Sequence, residues 1–199
     1  MLSLRKKLVK QRAGYKATLK EQKRVYSKKQ YKLIFEIQEK VIREFNKQIE
    51  KLEKEMQEII LKNKQLKLNF YLLNSIKGVG EKTAITMLIF TDNFTKFESS
   101  RKFASYCGIA PFPHISGSSV RGKNKVSHLA NKSIKSILNM CAINAIQYNP
   151  EIKAFYERRI KKGKNKMSTI NIIRNKLISR MFAIIKRKTP YVDTMKFAA

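Results

Sequence analysis

Apolar positions recur every seven residues through the first third of the chain. Phe35, Ile42, Ile49 and Met56 form one row, and Phe45, Leu52 and Ile59 form a second. These are the a and d positions of a heptad with Glu and Lys around them, so the segment is expected to be a coiled-coil helix, closed on its own chain or on a second copy. The stretch before it, "LRKKLVKQRAGYKATLKEQKRVYSKKQ", is also helical in texture but far more basic. Residues 1–69 contain no proline and one glycine, Gly14. They therefore read as a basic helical linker: one long helix, or a helical hairpin turning near Tyr26–Tyr31. No turn residue chooses between the two.

From residue 70 to 199 the pattern becomes that of a compact helical domain. "FYLLNSIKGVGEKTAITMLIF" is helix, tight turn, helix, the form of a helix-hairpin-helix over 70–90. "FESSRKFASYCG" predicts a short helix from Ser99 or Ser100 to Cys107, closed by Gly108. The stretch 108–125 carries Pro111 and Pro113 and reads as a loop. Residues 126–148 form a helix with Val126, Leu129, Ile134, Ile137, Leu138 and Cys141 on one side. A further helix starts at Asn149 and Pro150 and stops at Gly163. The last spans 168–188, with Ile170, Ile173, Leu177, Met181 and Ile184 inward, and Pro190 prevents its continuation. Phe155 and Tyr156, beside Ile152, read as core rather than as stacking platforms. No strand order emerges, and the expected fold class is all-α.

Charge changes the picture from fold to partner. The 199 residues carry 44 Lys and Arg against 14 Asp and Glu, a net charge of +30. Eight of the 14 acids fall within residues 21–58, whereas residues 99–199 hold 21 Lys and Arg against three acids. The C-terminal half is thus the half that faces a polyanion, with nucleic acid as the leading partner through counterion release. An anionic membrane surface and a ribosomal setting are the weaker alternatives. No apolar run reaches the ~20 residues of a membrane span, and the start "MLSLRKKLVKQRAG" has no signal-peptide core. Cys107 and Cys141 lack metal-ligand spacing and read as buried thiols in a reducing cytoplasm. With only His114 and His128 as histidines, a zinc site is not expected.

Two stretches carry candidate chemistry. In "SIKGVGEKTA", Gly78 and Gly80 permit a tight turn, and the amides that open the next helix can face a phosphate oxygen. Lys77, Lys82 and Thr83 flank that turn, and such contacts hold a backbone without reading sequence. A structural corner with incidental lysines is the plainer alternative. In "ISGSSVRGKNK", the run from Gly117 stops one residue short of a P-loop, because Asn124 stands where Ser or Thr must hold magnesium. No buried strand precedes it, so nucleotide binding is set aside. Ser116 precedes Gly117, with Arg121, Lys123, Lys125 and Lys132 following, and cations there could steady charge on a phosphoryl oxygen. A serine hydroxyl needs a base or metal to act as a nucleophile. On these residues alone a solvated Ser/Gly turn is the simpler reading.

The serial order of "LLNSIKGVGEKTA", "FTKFESSRKFASYCGIAP", "SGSSVRGKNKVSHLANKSIKSIL" and "NPEIKAFYERRIKKGKNKMSTINIIRNKLISRMFAIIKRKTPY" resembles the C-terminal transposase domain of the insertion-sequence 110 family. Residues 1–69 look like that family's helical linker. The resemblance implies a DNA recombinase guided by a bridge RNA, with a serine in the Pro…Ser-Gly loop attacking a DNA phosphodiester to form a phosphoserine link. Matched by motif, that serine is Ser116. It also implies a RuvC-like DEDD domain holding Mg2+, for which the few carboxylates here give no candidate set. The expectation is therefore a DNA-binding part with no cofactor of its own. It would associate as a homo-oligomer or with a RuvC-like part through the coiled coil, at the bacterial nucleoid. A non-catalytic binding module or a truncated copy joining a full-length relative is the alternative.

Overall fold

The heptad row at Phe35, Ile42, Ile49 and Met56 is buried. What covers it is the chain's own first helix. In the computed structural model, which describes residues 1–27, 29–110, 112–116, 120–125 and 129–193 (side chains outside 111–128), helix α1 is Leu2–Val25 and α2 is Lys32–Lys62. Arg5 meets Glu53, Tyr15 meets Phe45, and Lys23 meets Glu39, so the two run antiparallel as a hairpin. The link lies at the expected Tyr26–Tyr31, where the two tyrosine rings stack at 4.4 Å. The second heptad row is only partly covered, and Ile59 is exposed.

The structure divides into two units, Met1–Asn63 and Lys64–Ala199. The second contains α3 (Lys64–Asn74), α4 (Glu81–Phe90), α5 (Ser100–Tyr106), β1 (Phe112–Ser116), β2 (Val120–Lys125), α6 (Lys132–Tyr148), α7 (Pro150–Lys161) and α8 (Lys166–Arg187). Its core gathers Leu73, Ile76, Met87, Phe103, Leu138 and Met181, all fully enclosed, around the long amphipathic α8. Asparagine or serine caps fix the helix starts: Ser99, Asn131, Asn149 and Asn165 each accept from amides of the first turn. Gly108 and Gly163 end α5 and α7 with positive φ of 65° and 69°. Eight helices among the described residues make the class all-α, as the patterning predicts.

Two local expectations are corrected. The stretch 108–125 is not a loop throughout: β1 and β2 form an antiparallel ribbon pairing Ser116 with Val120, Ile115 with Arg121, His114 with Gly122 and Phe112 with Lys125. The register shifts by one residue between Phe112 and His114. Pro113 lies at that irregularity, where a residue without an amide hydrogen is tolerated, so the prolines marked a bulged ribbon rather than its absence. Helix α6 begins at Lys132 rather than at 126, and Leu129, expected on its buried side, is 96% exposed. The Asn131 cap sets that start, a local signal stronger than the apolar spacing upstream.

Both cysteines are buried. Burial pushes the Cys107 thiol up to about 12. It raises the Cys141 thiol as well, against a smaller opposing effect of the Thr83 hydroxyl. Since the thiolate is the reactive form, neither cysteine is expected to take up a thiol reagent at about pH 8 in the folded protein, and both should after denaturation. Rapid labelling of the native protein would contradict this packing.

Candidate nucleic-acid interface

The ribbon that carries Ser116 is tied down at both ends. On the way in, the Ile109 and Ala110 amides donate to the Ala104 carbonyl at 2.8 and 3.2 Å. The Asn171 side-chain amide on α8 donates to the Ile109 carbonyl at 2.9 Å. On the way out, the Asn131 amide donates to the Tyr106 carbonyl at 3.0 Å. The end of α5, the cap of α6 and α8 therefore form one anchored base.

Ser116 is the last residue of β1, and Gly117 lies outside the described residues. Arg121, Lys123 and Lys125 all belong to β2, where Arg121 pairs with Ile115 and Lys125 with Phe112 of β1. Their side chains, like that of Ser116, are outside the described set. Lys132 follows the cap in the first turn of α6 and is exposed.

At the glycine turn, the close backbone approach is made to the protein's own helix α6. Gly78 has φ +98°, and a Cβ there would come within 2.7–2.8 Å of the Cβ, Cα and N atoms of Ala145 on α6. Its role is close approach to a helix of the same unit. Thr83 is buried, its hydroxyl 3.1 Å from the Cys141 sulfur, so it fastens α4 to α6 rather than facing outward. Lys77 forms an ion pair with Asp193 at 2.7 Å. Gly80 caps α4 with open space around it, and the exposed Lys82 follows. Glu81 sits in that first turn, where its carboxylate competes with any anion for the helix's positive end.

The expected contact residues therefore fall into two groups. The turn lies against Ala145 near the end of α6, while the ribbon base and Lys132 lie at its start. Ala145 stands 13 positions after Lys132, roughly 20 Å along the helix, about six base steps of a duplex.

A third cationic region was not singled out from the sequence. The corner between α7 and α8 exposes Arg158, Lys161, Lys162, Lys164 and Lys166. Phe155 anchors this corner, with Lys176 at 4.1 Å and Arg158 and Arg159 at 5.7 and 5.8 Å from its ring. Phe155 and Tyr156 are half-buried rather than core, whereas Ile152 is fully enclosed. The run "RRIKKGKNK" was the available signal, masked by the general excess of positive charge.

Among the described residues no three His, Cys, Asp or Glu lie together. Every Asp and Glu of the chain is at a described position, so these carboxylates do not fit a two-metal site. No described helix is long and apolar enough to cross a membrane.

Residues 71–157, which contain the turn, α5, the ribbon and α6, match the family model for transposases of the IS116/IS110/IS902 family. Two proteins named pilin gene-inverting protein, from Moraxella lacunata and Moraxella bovis, are each 30% identical over 151 residues, covering 75% of this chain and 47% of theirs. An insertion element IS110 protein of Streptomyces coelicolor is 28% identical over 123 residues, covering 62% of this chain and 30% of its own. The chain thus spans about half the length, or less, of the curated relatives it matches. The segment built around the turn and the ribbon is thus similar to the transposases of the IS116/IS110/IS902 family.

Proposed function

We propose that this chain is the DNA-handling part of an IS110-type transposase or recombinase. The observation that carries the reading is the family match across 71–157, the stretch that holds both candidate sites. The relatives' names, one an insertion element and two an inverting protein for a pilin gene, point to the same class of DNA rearrangement. Charge supports it: residues 64–199 carry 26 Lys and Arg against six Asp and Glu. Lys82, Lys132, the β2 cations and the α7–α8 corner would hold the sugar–phosphate backbone. Gly78 and Thr83 would act from behind, by seating α4 on α6.

Within this reading Ser116 is the nucleophile. Its oxygen forms a bond to phosphorus as the bond from phosphorus to a deoxyribose oxygen breaks, leaving a phosphoserine link. The serine proton needs an acceptor and the leaving oxygen needs a proton. Both, with the carboxylate set, would come from a RuvC-like part outside these 199 residues, preceding them or on another chain. A bridge RNA would be a second polyanionic partner. Association through the coiled coil has less room than the heptads suggested, because α1 already covers the row from Phe35 to Met56.

The competing reading is a binding module that performs no chemistry. It draws support from the dispersed carboxylates. Affinity for duplex DNA, measured across salt concentrations, tests what both readings share. It is expected to fall by about a thousandfold or more between roughly 50 and 200 mM salt, as for six or more phosphate contacts. A salt-independent affinity would remove the electrostatic basis of the proposal.

A further inference from the structure

Arg174 on α8 is 4% exposed, and its Nε is enclosed without a hydrogen-bond partner. Among the described residues no ion pair or hydrogen bond reaches its guanidinium. Two half-buried arginines differ: Arg5 pairs with Glu53 and Arg180 with Glu151. Nor can an undescribed side chain supply the missing charge, since residues 28, 111–128 and 194–199 include no Asp or Glu. Burial lowers the Arg174 pKa, yet a guanidinium remains a cation. A buried cation without a counter-charge is costly, all the more inside a unit with a large positive surplus.

Its place in the fold is specific. Three residues earlier on the same helix face, Asn171 holds the Ile109 carbonyl at 2.9 Å. The two positions are about 4.5 Å apart along the axis. Further along α8, Phe182 packs on Phe103 of α5 at 5.8 Å. Arg174 therefore lies between the α5 contact and the point where the chain leaves for the ribbon.

We propose that Arg174 is an anion-binding residue that takes a phosphate oxygen of nucleic acid at the base of the ribbon. This rests on the nucleic-acid reading above. The planar guanidinium suits the task, because it can donate two parallel hydrogen bonds to one phosphate. The nucleic acid would supply the counter-charge that no described residue supplies, and Arg174 would fix the strand relative to the ribbon without touching the reacting atoms.

The test uses the full chain with Arg174→Met and Arg174→Lys, a phosphodiester oligonucleotide and, separately, inorganic phosphate. Arg174→Met is expected to raise the Tm of the free protein by removing an unpaired buried charge. It should weaken oligonucleotide binding at least about tenfold and reduce the salt slope by about one. Arg174→Lys should keep the slope and lose affinity, since a lysine cannot form the fork. If Arg174→Met lowers Tm and leaves affinity and slope unchanged, Arg174 is a structural residue and the proposal fails; should that variant not fold, unchanged affinity in Arg174→Lys overturns it. A phosphate-induced Tm rise that depends on Arg174, alongside unchanged oligonucleotide affinity, would overturn the nucleic-acid assignment and leave a free-anion site. Failure of the wild type to bind nucleic acid would instead defeat the functional reading itself, a distinct result.

Discussion

With a RuvC-like part and DNA present, Ser116→Ala is expected to abolish the covalent protein–DNA species, by a factor on the order of a thousand or more. DNA affinity should stay within about twofold, because one neutral hydroxyl contributes little beside many phosphate contacts. This split between capture and binding separates the two functional readings. A nucleophile is needed for the covalent bond and dispensable for the electrostatic one. The adduct is read on a denaturing gel with labelled DNA, and affinity is measured on the same preparations. An undiminished adduct in the alanine variant would place the nucleophile elsewhere. Loss of adduct and affinity together would point to a damaged ribbon, and Ser116→Cys would then decide, since a thiol can retain attack where alanine cannot.

The second large effect is structural. Gly78→Ala is expected to destabilise the unit from Lys64 onward by about 3–5 kcal/mol, on the order of 10–20 °C in Tm. Two independent causes add. The φ of +98° disfavours any residue with a Cβ, and that Cβ would overlap three atoms of Ala145 at 2.7–2.8 Å. Two of those three are backbone atoms, so α6 as a whole must shift. Ala145→Gly in the same chain removes only the side-chain clash and should recover a minor part of the loss. Gly80→Ala, with open space around it, is the control and should cost far less. A Gly78→Ala variant melting within a few degrees of wild type would show that the turn and α6 do not meet as described. DNA binding measured below its Tm would then separate a seating role for this turn from a direct contact.

Much of the architecture was legible because its determinants are local. Heptad spacing located α2, Asn149 with Pro150 fixed the start of α7, and Ser99 with Gly108 bracketed α5. Each is a signal within a few residues of the feature it governs. The ribbon was missed because its pairing depends on register between β1 and β2 and shows no two-residue alternation, with Pro113 pointing to a loop. The start of α6 was misplaced because apolar residues upstream continued the helical spacing past the Asn131 cap.

The candidate site divides along the same line. The sequence by itself determined that the chain is a cationic, helix-built protein with a glycine turn and a serine-bearing segment in the order of one transposase family; charge and motif order survive without coordinates. Tertiary structure alone decided which groups are free to act. Lys77 meets Asp193, Thr83 meets Cys141 and Gly78 meets Ala145, pairs 116, 58 and 67 positions apart. It also decided that α1 covers the heptad row from Phe35 to Met56 and that Arg174 is enclosed with no counter-charge among the described residues. The reason is physical: a side chain's type is written locally, but burial and electrostatic partner are properties of what the folded chain brings beside it.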